Sequence, residues 1–81
     1  MNIMSLDQAP RDIPQVIVEI ASGEEAKRKL LAMGLHAGDA IVKLNQARWS
    51  PVLIRNLTTR SSKIAIGRGL ARKILVRDAR P

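Results

Sequence analysis

The sequence predicts a small, mainly β domain of about five strands, with one α-helix between strands 1 and 2 and a short helical turn before the last strand. Short apolar runs with two-residue alternation recur along the 81 residues and are separated by turns. One stretch of about ten residues has helical periodicity instead. Because a chain of this length builds one core, and short strands in an open sheet leave edges exposed, we expect closure into a small barrel.

The first predicted strand begins after Pro14, where a proline is tolerated at the start of a strand. Its alternation predicts that Val16, Val18 and Ile20 face inward. No element is predicted before it. We therefore expect residues 1–81 to form a single domain in which about 1–12 and 79–81 are loosely ordered.

The predicted helix follows, because Ser22 and Glu25 fit a capping box. Its apolar stripe consists of Ala26, Leu30 and Met33, with Leu31 beside them. Gly34 should end the helix in a left-handed conformation, since glycine adopts it without steric cost. A Schellman motif would then pack Leu35 against Leu30.

Four further strands are predicted. Residues 40–46 should place Val42 and Leu44 inward and Lys43 and Asn45 outward, and residues 52–57 should place Val52 and Ile54 inward. Asn56 then occupies a position where an inward apolar residue is expected. Strand 4 contains Ile64 and Ile66, residues 67–72 suit one helical turn, and residues 74–76 form the last strand. An SH3-like barrel is the simplest closure of this order.

Charge is unevenly distributed along the chain. Residues 1–40 contain four basic and six acidic side chains, whereas residues 41–81 contain ten basic side chains and one acid, Asp78. This basic second half could face nucleic acid, anionic lipid or an acidic protein, or could simply be a solvated surface. The sequence contains one aromatic residue, Trp49, which disfavours single-stranded nucleic acid because its recognition relies on several stacking side chains.

Composition argues against catalysis and against bound cofactors. There is no cysteine, and the one histidine, His36, has only Asp39 nearby as a possible second metal ligand. The Gly67-Arg68-Gly69 segment lacks the third glycine of a dinucleotide site and the Gly-Lys-Ser/Thr of a P-loop. We expect no metal site, no cofactor and no enzymatic activity. With no signal peptide and no long apolar run, a cytoplasmic location is expected.

Three ordered blocks of the sequence resemble the FeoA family. They are KRKLLAMGLHAGD (residues 27–39), SPV (50–52) and IAIGRGLARKILV (64–76). The family's L-x-x-G-L-x-x-G motif corresponds here to Leu31, Gly34, Leu35 and Gly38, and the GRGLARKI stretch contains Gly67 and Gly69. The chain departs from the family pattern at Ala37, where a proline is usual, and in a longer turn at 58–62.

The resemblance implies an SH3-like barrel that acts as an accessory subunit of bacterial ferrous iron uptake. FeoA proteins accompany a membrane permease whose cytoplasmic part is a GTPase domain, so that permease is the implied partner. The same barrel occurs at the C-terminus of metal-dependent repressors, but no helix-turn-helix segment precedes it here, and a free-standing protein is expected. A small basic nucleic-acid-binding barrel is the alternative function.

The residues predicted to bind the partner are Arg48 and Trp49, with Lys27 and Arg28 on the exposed helix face. Tryptophan and arginine dominate protein interfaces, although Trp49 could equally fold over the end of the barrel as part of the core. The basic second half could add peripheral contact with an anionic membrane.

Overall fold

The computed structural model describes residues 2–21, 23–46 and 50–80, and within them the chain forms one curled antiparallel sheet. The elements are β1 (Ile3–Ser5), a 3-10 helix (Leu6–Gln8), β2 (Gln15–Ile20), α1 (Glu24–Ala32), β3 (Ala40–Lys43), β4 (Val52–Asn56), β5 (Ile64–Ile66), α2 (Arg68–Ala71) and β6 (Ile74–Asp78). The strand order is β1-β6-β2-β3-β4-β5. The predicted mainly β fold is confirmed, with α1 between two strands and α2 before the last one.

The sheet has a strand that the sequence pattern does not predict. Within the segment expected to be loosely ordered, β1 pairs with β6, and Ile3 lies opposite Arg77. Leu6 and Ala9, which follow β1, are almost completely buried in the core. The first described residues therefore contribute both an edge strand and core side chains, and the sheet has six strands where about five were expected.

The core is aliphatic, as the near absence of aromatic residues requires. Its large members come from every strand except β1, from the 3-10 helix, from α1 and from Leu35 just after α1. The fully buried ones are Leu6, Ile17, Leu30, Leu35, Ile41, Val52, Ile54, Ile66, Ile74 and Val76. Burial of Val52 and Ile54 confirms the predicted orientation of β4.

The predicted orientation of β2 is wrong. Ile17 is buried and Val16 is only half-buried, whereas Val18 is 37% exposed. The pairing of β2 with β6 shifts register between Ile17 and Glu19, which indicates a β-bulge. A bulge reverses the alternation of side chains along a strand. After the bulge Ile20 faces inward as expected, whereas before it Ile17 faces inward in place of Val16.

The predicted orientation of β3 is also wrong. Ile41 and Lys43 are buried, while Val42 and Leu44 are only half-buried. Lys43 tolerates this position because its Nζ donates to the carbonyl oxygens of Asp7 at 2.7 Å and Ala9 at 3.0 Å. Burial lowers the pKa of Lys43, and the nearby positive charge of Arg68 lowers it further.

Helix α1 ends as predicted. Gly34 has φ +83°, the Gly34 N–H donates to the Leu31 carbonyl, and the Leu35 N–H donates to the Leu30 carbonyl, both at 2.9 Å. This is a complete Schellman motif. Ser22 of the predicted capping box lies outside the described residues, and Gly23 is the N-cap residue.

The predicted apolar stripe of α1 is only partly correct. Ala26 and Leu30 are buried, but Met33 is 38% exposed and Leu31 is 51% exposed. The helix is short, and its buried face is narrower than the stripe of apolar residues on it. Two large apolar side chains are therefore left at the surface near its C-terminal end.

We expect Gly34→Ala to lower the free energy of unfolding by about 1 kcal/mol, because an L-residue is strained at positive φ. No atom lies within 4 Å of the Cβ that alanine would add, so the loss measures the backbone conformation alone. Denaturant unfolding of both proteins would measure it. As a control, Gly69→Ala in α2 has no positive φ and equal space, and should be neutral or stabilising. Equal effects at both positions would contradict the assignment.

Candidate docking site

An open groove lies between β2, α1 and the turn that follows α1. Its volume is about 370 Å³, and it is lined by Val18, Glu19, Ile20, Lys27, Leu31, His36 and Ala37. Most of this lining is apolar. We call it the β2–α1 groove.

Two local features of the sequence place apolar side chains in the β2–α1 groove. The bulge in β2 turns Val18 outward, although it belongs to a run of strand-forming residues. Leu31 follows the buried Leu30 in α1, and a step of one residue rotates a helical side chain by about 100° away from the core. Both side chains consequently meet solvent beside each other, where a partner could cover them.

The rim of the groove is mixed in charge. Glu19 lies on the strand side, and Lys27 lies on the helix side, where Arg28 and Lys29 continue the positive surface. Lys29 forms a helical ion pair with Glu25 at 3.7 Å, with both side chains largely exposed. Exposed pairs of this kind contribute little to stability. Lys27 and Arg28 form no salt bridge among the described residues, so their charges are available to a partner.

The end of the groove is fixed by a polar cluster under His36. The Oδ2 atom of Asp39 accepts hydrogen bonds from the His36 backbone N–H at 2.9 Å and from Asn56 Nδ2 at 2.9 Å. His36 Nδ1 lies 3.3 Å from the same oxygen. The Asp39 side chain is nearly buried, whereas the His36 imidazole is 55% exposed.

The pKa of Asp39 is lowered from its ordinary value. Burial alone would raise it, but the hydrogen bonds from Asn56 and from the His36 backbone together outweigh that effect, with the His36 side chain adding to them. The carboxylate therefore stays charged and holds the turn over residues 36–39 in place. The Asp39 carboxylate therefore has a structural role.

The structure describes two of the four residues predicted to bind the partner. Lys27 lines the β2–α1 groove and Arg28 is exposed on the same helix. Arg48 and Trp49 lie outside the described residues. Of the L-x-x-G-L-x-x-G residues, Leu31 lies in the groove, Gly34 and Leu35 form the helix cap, and Gly38 has φ +96° in the following turn. Gly67 precedes α2 and Gly69 lies within it.

Sequence reasoning did not find Val18 or the groove itself. The alternation over residues 16–20 assigns Val18 to the core, and no local signal marks the bulge. Leu31 was recognised as part of an apolar stripe and of the family motif, but not as a groove residue. The presence of three large apolar residues, Leu30, Leu31 and Met33, at the end of a helix of only nine residues would have suggested that one or two of them remain uncovered.

No group of three or more potential metal-ligating side chains occurs in residues 2–21, 23–46 and 50–80. His36 and Asp39 do come together as expected, but they are joined to each other and to Asn56. Among the described helices, none has the length and apolar character needed to cross a bilayer.

Comparison with known proteins gives a consistent result. The sequence profile of the FeoA domain matches residues 4–78. A Methanocaldococcus jannaschii protein named "Putative Fe(2+) transport protein A" is 41% identical over 64 residues, which cover 79% of this chain and 73% of that protein.

Solved structures show the same fold. The crystal structure of an iron uptake regulatory protein, FeoA, superposes with a TM-score of 0.81 at 30% identity and covers 95% of this chain and 97% of that one. A manganese-dependent transcriptional repressor bound to manganese superposes with a TM-score of 0.85 at 11% identity, covering 96% of this chain but 37% of the repressor. At that identity the second similarity concerns the fold alone.

The polar cluster predicts an acid limb of stability. Since the folded-state pKa of Asp39 lies below the unfolded value of about 4, its stabilisation is present above that pH and is lost as the pH falls through the folded-state pKa. We expect Asp39→Asn, which keeps the shape, to remove this part of the pH dependence in urea unfolding. Asp78→Asn, which breaks the fully exposed pair with Arg80, should change it much less. The opposite order would contradict the assignment.

Proposed function

Because this chain belongs to the FeoA family, we propose that it is a non-enzymatic accessory protein of ferrous iron uptake that docks on the cytoplasmic GTPase region of a membrane iron permease and tunes transport. The family match spans residues 4–78, nearly the whole chain. The names of the two most informative relatives refer to Fe(2+) transport and to regulation of iron uptake. The permease as partner follows from the family resemblance, and the location that goes with it is cytoplasmic.

The observation that supports docking is the exposure of Leu31 and Val18 in the β2–α1 groove. Leu31 is 51% exposed and Val18 is 37% exposed, and the two face one concavity rather than being scattered. Full burial of a leucine or valine side chain is worth about 1.5 to 3 kcal/mol, and covering the part of Leu31 and Val18 that is still exposed is worth roughly 0.5 to 1.5 kcal/mol each, which makes the pair an apolar anchor for a small interface. The groove therefore suits an apolar segment of a protein partner.

The charge beside the groove favours a segment that also carries acidic residues. Lys27 and Arg28 project from α1 with no salt bridge among the described residues. Rim charges of this kind mainly raise the association rate and set orientation, whereas the apolar contacts determine how long the complex lasts. The expected partner segment is amphipathic, with aliphatic side chains facing the groove and carboxylates facing α1.

Arg48 and Trp49 are proposed as a second contact with the permease. They are adjacent in the sequence between β3 and β4. Tryptophan and arginine are both enriched among the few interface residues that contribute most of the binding energy. This contact rests on composition, whereas the groove rests on geometry. The two are separable by mutation.

We expect Leu31→Ser to weaken binding of the chain to the purified GTPase region of the permease at least tenfold, because it removes the largest apolar side chain of the groove. The side chain is half exposed, so the melting temperature should change little. Leu57→Ser is the matched control, since it removes a leucine of similar exposure, 41% against 51%, from the β4–β5 turn. Calorimetry or a pull-down assay measures both. Retention of full affinity by Leu31→Ser, or an equal loss in the control, would exclude the groove as the docking surface.

We expect Trp49→Ala to weaken the same complex by about 2 kcal/mol while leaving the fold intact, as for an anchor residue. Arg48→Ala should weaken it mainly at low ionic strength, because salt screens an exposed charge. Thermal unfolding of the free variants provides the control. If Trp49→Ala unfolds the domain, the tryptophan belongs to the core. If it affects neither stability nor binding, the permease contact lies elsewhere.

A further inference from the structure

The turn between β4 and β5 presents a leucine to solvent. Leu57 follows directly after β4 and is 41% exposed, and residues 58–60 after it are also exposed. This leucine does not line the β2–α1 groove, whose apolar residues come from β2 and α1. We call the turn over residues 57–63 the β4–β5 tip.

The β4–β5 tip is rigidly held from inside the domain. The buried Asn56 Oδ1 accepts hydrogen bonds from the backbone N–H groups of Thr58 at 3.0 Å and Thr59 at 3.2 Å. The Ser61 Oγ accepts from the Asn56 N–H at 2.9 Å, and the Ser61 N–H donates to the Asn56 carbonyl at 3.0 Å. With both sides of the turn tied to one residue, little conformational entropy is lost when the tip meets a surface.

Three cations lie in or beside the turn that carries the exposed leucine. Arg55, Arg60 and Lys63 are exposed, and none of them forms a salt bridge within residues 2–21, 23–46 and 50–80. Arg60 has φ +57°, a conformation that a bulky residue rarely adopts. No acidic residue occurs in the sequence between Asp39 and Asp78, and the Asp39 carboxylate, which accepts from Asn56 beneath the tip, is nearly buried and lies against His36 instead of these cations.

We propose that the β4–β5 tip binds the surface of an anionic lipid bilayer, with Leu57 inserted among the headgroups and Arg55, Arg60 and Lys63 paired with lipid phosphates. One exposed aliphatic side chain in a turn with three exposed cations in or beside it matches a soft, negatively charged surface. A folded acidic protein would need a concave pocket to cover the same leucine. Single-stranded nucleic acid is usually bound through aromatic side chains that stack on the bases, and the described tip has none.

The proposed lipid contact is weak by itself and independent of the permease. Each basic residue near an anionic leaflet contributes modestly, and a single leucine adds one small apolar anchor. A protein that also docks on a membrane permease is already close to the bilayer, so a weak second contact becomes effective through a high local concentration. This benefit rests on the proposed docking, whereas the lipid contact does not.

The test uses the full chain and vesicles without any permease. At low ionic strength the chain should co-sediment with vesicles of phosphatidylcholine mixed with phosphatidylglycerol, and not with phosphatidylcholine alone. Leu57→Ser should lower the apparent affinity about fivefold, and the double variant Arg60→Asn with Lys63→Gln should lower it at least tenfold. Asparagine is chosen at position 60 because it tolerates positive φ, and melting temperatures confirm that the variants are folded.

Two comparisons decide the result. Lys27→Gln with Arg28→Gln removes the same number of charges from α1, and it should retain most of the vesicle binding, as should Leu31→Ser. An equal loss in the α1 double variant would attribute binding to net charge and overturn the proposal, as would absence of vesicle binding in the unmodified chain. Tighter binding to an RNA oligonucleotide that is insensitive to Leu57→Ser would also overturn it, in favour of nucleic acid.

Discussion

The buried side chain of Asn56 is the interaction on which the surface of this domain depends. Its Nδ2 group donates to the Gly34 carbonyl at 3.0 Å and to Asp39 at 2.9 Å, while its Oδ1 accepts from two N–H groups of the β4–β5 tip. An amide has two donor hydrogens and one acceptor oxygen with two lone pairs, so all its capacity is used. A buried amide left unpaired would cost about 1 to 3 kcal/mol, which ties the three segments to one another.

The hydrogen bonds of Asn56 explain how one small core can support two separate surfaces, the β2–α1 groove and the β4–β5 tip. The end of α1 and the turn under His36 are attached to one side of Asn56, and together they form the closed end of the β2–α1 groove. The β4–β5 tip is attached to the other side. The bulge in β2 then completes the groove by turning Val18 outward. The polar connection between the two surfaces is concentrated at Asn56, whose hydrogen-bonding capacity is fully used.

Local sequence signals predicted the helices and strands. Which side chains face the core and which face solvent depended instead on contacts between residues distant in sequence. The Schellman cap at Gly34 was predictable because it involves six consecutive residues. The inward position of Lys43 was not, since its hydrogen-bond partners are 34 and 36 residues away, in a segment to which no element was assigned. Val18 was misplaced for a similar reason, as the bulge is a property of the pairing with β6. Asn56 was noticed as a polar residue at an inward position, yet only the folded arrangement supplies its partners.

The rigidity of the Asn56 connection has a consequence for binding at a membrane. Two weak contacts reinforce each other only when both can be made at once, and the gain depends on the geometry between them. A flexible tip would reach the bilayer in many orientations, and much of the gain would be lost as conformational entropy. Here the groove end and the tip are linked through a single side chain within a compact domain whose Cα radius of gyration is 11.2 Å. Under the two proposed contacts, engagement of the groove would restrict the directions in which Leu57 can point and would favour one orientation of the domain at the bilayer.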